Sequence, residues 1–86
     1  NDPIVVLKAR VMTLPKNLTA EFLKTLLTLN AKDLPHGAYG IDGDEVVIVD
    51  TLELQTLDKE ELMASIDSIS FALANHYSIL KKAATA

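Results

Sequence analysis

The chain has 86 residues, 49% of them hydrophobic, no cysteine, and twelve Asp and Glu against eight Lys and Arg for a net charge of −4. That length holds one domain with a small core, burying roughly 60–65% of the surface its unfolded chain exposes, and the lack of cysteine excludes a disulfide framework and fits a reducing, cytoplasmic setting. The basic residues stand singly except Lys81-Lys82, which is no phosphate-binding stripe, and no apolar run approaches the ~20 residues of a membrane span.

Residues 4–14 read as a strand. Val5, Leu7, Ala9 and Val11 share one face, while Lys8 and Arg10 lie on the other with Ile4, Val6, Met12 and Leu14, so the strand is half-buried and its back is only partly polar. Pro15 ends it, because proline cannot donate to a ladder. A helix follows, with Asn17 or Thr19 as its cap and Glu21 in the first turn. Leu18, Phe22, Leu23, Leu26, Leu27 and Leu29 give it a wide apolar stripe suited to a sheet. Asn30 is its stop, and Pro35 bars continuation.

Residues 39–54 predict a hairpin that turns at Asp42-Gly43-Asp44. Its second arm, Val46-Val47-Ile48-Val49, is apolar on both sides, which places it centrally in a sheet or under cover on both faces. Asp58-Lys59-Glu60-Glu61 is then a capping-box pattern, with Leu57 and Leu62 set to form the hydrophobic staple. Beyond it, Leu62, Ile66, Ile69, Leu73, Tyr77 and Leu80 make one continuous stripe over about five helical turns. The tail 83–86 has no anchor and is expected to fray. Opposite the stripe stands Phe71, with Ala64, Ser68, Asn75 and Ser78 around it. A large aromatic among small residues on a water-facing side points to a contact: an N-terminal helix, a dimer partner or a client protein.

Chemistry-bearing clusters are sparse. Asp42, Asp44, Glu45 and Asp50 bring carboxylates to the hairpin, but an EF-hand loop needs a central glycine, alternating ligands and a distal Glu, and valines fill those places here. No metal is expected. His36 has Asp33 three residues back and no third group; His76 falls beside the apolar stripe. They read as a loop and a boundary histidine rather than an acid–base pair or metal ligands. Asn17-Leu18-Thr19 matches a glycosylation sequon, which carries meaning only in a secreted chain. No Gly-x-Ser-x-Gly elbow, phosphate loop or cysteine nucleophile is present, so neither an enzyme nor a cofactor is expected.

The run Phe22-Leu23-Lys24-Thr25-Leu26-Leu27-Thr28-Leu29-Asn30, followed by Gly37-Ala38-Tyr39-Gly40-Ile41-Asp42, resembles the bacterial YbjN family, in which a leucine-rich helix ending in Leu-Asn leads through a glycine loop into a hairpin. Thr56-Leu57-Asp58-Lys59-Glu60-Glu61-Leu62 looks like that family's entry into its last long helix, and the resemblance spans residues 4–80. It implies the fold of type III secretion chaperones: small acidic cytoplasmic proteins that often dimerise and bind extended segments of other proteins. Against that pattern the chain lacks a leading helix and a strand, opens on Asn rather than Met, and carries Val49-Asp50-Thr51 where many relatives have an arginine.

The expectation is an α+β domain over residues 1–86, a small antiparallel sheet with two helices packed on it, lacking an N-terminal helix of the family. It binds another protein or a second copy of itself, as a homodimer, through Phe71, Ala64, Ser68 and Ser78. The alternative is a regulatory domain holding a small ligand between helix and sheet near Tyr39 and His36.

Overall fold

The computed structural model describes residues 3–32, 34 and 36–85. In chain order the elements are β1 (Ile4–Thr13), α1 (Ala20–Lys32), β2 (Ala38–Asp42), β3 (Glu45–Glu53) and α2 (Lys59–Ala84). The strands form one antiparallel sheet in the order β1-β3-β2. The arm that is apolar on both sides is therefore the central strand. Gly43 stands at φ 63 in the two-residue turn that joins Asp42 to Glu45, a conformation open to glycine at little cost.

The two sheet faces are covered differently. On the inner face Ile48 and Val46 join Tyr39 and Met12 in a core closed by Phe22, Leu26 and Leu29 of α1 and by Ile69, Ala72 and Leu80 of α2. On the outer face no element packs among the described residues; Lys8 reaches across β3 to pair with Asp42, and Arg10 pairs with Glu45. Val47, the ladder partner of Arg10, is buried on that side. Long cationic stems cover apolar surface while their heads stay in water. The hydrogen bond and the charge of Lys8 hold the Asp42 carboxyl below the usual range.

Three local expectations are corrected. Met12 belongs to the core rather than the back face, because the register shifts between Arg10 and Met12 and the extra residue, Val11, turns the strand over. Of the two cap candidates, Thr19 is the one that caps α1, as one of the alternatives had it: its Oγ1 accepts from Phe22 N at 3.1 Å. Ala83 and Ala84 do not fray; they are helical and lie against the core. The stop assigned to Asn30 comes early, since α1 runs on to Lys32; Pro35, expected to bar continuation, lies outside the described residues.

The largest correction concerns α2. Asp58 caps it as its pattern predicts, the side chain accepting from Glu61 N at 2.7 Å. The face it buries is Ser65, Ile69, Ala72, His76 and Leu80. The predicted stripe shares only Ile69 and Leu80 with that face; Ile66 and Tyr77 are exposed and Leu73 is half-buried. At 3.6 residues per turn the two arcs are centred about 60° apart. The short side chains of Ser65 and Ala72 let the helix lie close to its neighbours, and Tyr39 gives the His76 ring a hydrogen-bond partner, so a polar ring is buried without an unsatisfied nitrogen facing Tyr39.

Candidate protein-binding surface

Because α2 is held through Ile69, Ala72 and His76, Phe71 is directed away from the core and is 72% exposed. Asn75 Nδ2 donates to the Phe71 carbonyl at 2.8 Å, so the neighbouring amide folds back on the helix rather than over the ring. Phe71, Ala72, Asn75, His76 and Ile79 line a shallow notch of about 430 Å³. Ala64 and Ser78 are exposed on the same helix. Ser68 is not: it is half-buried, with a hydroxyl lacking a hydrogen-bond partner among the described residues. It lies on the side of α2 that carries Ile79, which sits beside Glu21 and Thr25 of α1.

The floor of the notch is tied to the sheet. Tyr39 Oη and His76 Nδ1 share a hydrogen bond of 2.7 Å, with ring centroids 5.8 Å apart. Asn30, at the end of α1, donates to the Tyr39 carbonyl at 3.2 Å and accepts from its N–H at 2.7 Å. One tyrosine thus joins α1, β2 and α2. His76 is 4% exposed, a core histidine rather than the boundary residue expected. Burial pushes the Tyr39 phenol up from 10.0 to about 12. A raised acid binds its proton more tightly when folded, so the stability that Tyr39 contributes is complete below pH 10 and is lost as pH rises towards 12. Thermal melts of the parent should fall over that window, while Tyr39→Phe, lower at neutral pH, should stay flatter; parallel curves would overturn the assignment.

The remaining candidates do not assemble. His36 is exposed in its loop, whereas Tyr39 faces the core, so the ground proposed for a small ligand is filled by packed side chains. Asp33 lies outside the described residues. Asp42 and Glu45 are engaged by Lys8 and Arg10, and among the described residues no three His, Asp or Glu converge as metal ligands do. One feature was missed. Leu27 is 67% exposed, and with Ala20, Leu23 and Ala31 it lines a shallow hollow of about 530 Å³ on the outer side of α1. The sequence signal was the width of the leucine stripe, broader than a single sheet face covers.

An antiparallel sheet with both helices on one face, and large apolar side chains left to water on those helices, is the frame of a small protein-binding α+β domain. The family model CesT_Tir_1 matches residues 1–86, and the chain belongs to that family of type III secretion chaperone-like domains. Neither a curated protein nor a solved structure matches the chain. The family makes this a chaperone-like, protein-binding kind of domain, of a group generally without enzymatic activity. The match is broader than the YbjN resemblance and does not reach it. No helix among the described residues is long and apolar enough to cross a membrane.

Proposed function

We propose that this domain is a non-enzymatic, chaperone-like adaptor of the YbjN type that works in the cytoplasm, pairs with itself, and holds a segment of another protein against the Phe71 surface. The exposed Phe71 ring carries the reading. An isolated domain gains nothing from a phenyl group in water beside a notch, whereas a partner that covers it removes on the order of 150–250 Å² of aromatic surface. At about 25 cal/mol per Å², that is a few kcal/mol before association costs. Family membership supports a protein partner, the leucine-rich helix and glycine loop support the YbjN likeness, and the lack of cysteine agrees with a reducing compartment.

Phe71→Glu tests the reading. The side chain lies outside the core, so the melting temperature should stay within a degree or two of the parent. Retention of partner protein from host lysate, measured against the parent at matched concentrations, should fall by about tenfold or more. Unchanged retention would make Phe71 a surface aromatic without a role. Unfolding of the variant would show that the ring packs within the domain.

A further inference from the structure

The Phe71 notch does not end at Ile79. That side chain, 44% exposed, also lines two further hollows between α2 and α1, of about 310 and 230 Å³. The first reaches Lys82 on α2 and the second Lys24 on α1, and Glu21 and Thr25 belong to both. Together they make one groove along the helix pair. Phe71 stands at one end, Ile79 lies about 12 Å further along α2, and Lys82 and Lys24 lie beyond it. The polar side chains of the groove turn back on their own helices. Thr25 Oγ1 donates to the Glu21 carbonyl at 2.9 Å, Thr28 Oγ1 to the Lys24 carbonyl at 2.7 Å, and Asn75 Nδ2 to the Phe71 carbonyl. What remains for a visitor between the charged ends is mainly the hydrocarbon of Phe71, Ile79 and the threonine methyl groups.

We propose that this groove takes an α-helix of a partner protein, laid against Phe71 and Ile79 with its acidic first turn beside Lys82 and Lys24. The proposal rests on the reading that Phe71 holds a partner, and it names what that partner presents. An extended segment needs hydrogen-bond partners for its backbone along its whole length. Both walls here are helices, whose interior N–H and C=O groups are bonded within the helix, so a strand finds no ladder to join. A helix arrives with its backbone satisfied and needs only fit and apolar contact. Its side chains at i and i+7 or i+8 stand about 10–12 Å apart on one face, the spacing of Phe71 and Ile79.

Charge sets the direction. α2 begins with Glu60 and Glu61, carries the exposed Asp67 one turn before Phe71, and ends with Lys81 and Lys82. The groove is therefore acidic beyond its Phe71 end and basic at the other, where Glu21 is the one acid among its lining residues. Helices favour acids in the first turn and bases in the last, against their macrodipole. A partner helix of that kind is attracted at both ends when it lies antiparallel to α2 and repelled at both when parallel.

Two end-blocked peptides test it. One is a hydrocarbon-stapled helix of about 15 residues, with leucines two turns apart on one face, glutamates in its first turn and lysines in its last. The other has the same ends and leucines but prolines at its centre, which bar the helix. In NMR titrations the helix should bind saturably and shift the amides of Phe71, Asn75 and Ile79, and the proline peptide should bind at least tenfold more weakly. Ile79→Glu should weaken the helix at least tenfold, and Lys82→Glu about threefold or more. A nitroxide on the first turn of the peptide should broaden the amides of Lys82 and Ala83 and spare Asp67. Equal binding of the proline peptide, no saturable binding of the helix, or broadening at Asp67 instead overturns the proposal. In each of those cases Phe71→Glu separates it from the reading beneath: lost partner retention leaves Phe71 a contact for an extended segment, whereas unchanged retention removes both. Should Ile79→Glu unfold, the peptide pair and the nitroxide still decide.

Discussion

Ile69→Ala should lower the free energy of unfolding by about 2–5 kcal/mol, and Ile66→Ala, on the same helix, by less than about 1 kcal/mol. The two residues are chemically identical and both belong to the stripe seen in the sequence. Ile69 is 8% exposed within the core cluster, so truncation leaves a cavity there; Ile66 is 41% exposed and leaves none. A domain of this length holds about 4–13 kcal/mol in all, so the first variant should be partly unfolded at physiological temperature and the second should not. Urea titrations at concentrations where the domain is monomeric would measure both. Equal losses would turn α2 back to the orientation that hydropathy alone assigns.

Replacing Gly37 by alanine should cost more than about 2 kcal/mol, against about 1 kcal/mol for the same change at Gly43. Both glycines have positive φ, 79 and 63, and share the penalty of placing a Cβ in the left-handed region. They differ in what the Cβ meets. At Gly37 it would stand 2.9 Å from the Val49 carbonyl oxygen, backbone of the central strand, whereas at Gly43 nothing lies within 4 Å. Val49 is paired on both sides, with Lys8 and with Ala38, and has no room to retreat without loosening two ladders. Thermal unfolding of the two variants isolates the clash as their difference. If the losses match, the loop before β2 shifts to absorb the methyl group.

Much of the fold was legible because the pattern of each segment had one physical solution. A four-residue run apolar on both sides is either central in a sheet or covered on both faces, and Val46 to Val49 take the first of these places. Asp-Gly between two strand patterns turns a hairpin, and Asp58 three residues before Glu61 starts a helix. Phe71 was readable as exposed because it lies outside the buried arc in either orientation of α2. The Met12 and α2 corrections have one cause. Hydropathy ranks isoleucine and tyrosine above serine, alanine and histidine, but the surface that packs is chosen by fit. Ser65 and Ala72 are buried because they are short, and His76 because a tyrosine distant in sequence brings it a hydrogen bond. A bulge likewise reverses Met12 without any signature in the residues around it.

By itself, then, the sequence determined the kind and order of the elements, the central strand and the turn and cap residues, since each follows from local geometry or from short patterns within one segment, while the chaperone-like cast was what the family resemblance implied. Only the tertiary structure decided which arc of α2 is used, that Tyr39 and His76 join three elements, and that unused apolar surface gathers at the Phe71 notch and on the outer side of α1. Those depend on where distant segments meet, and burial is a property of that meeting rather than of any residue alone.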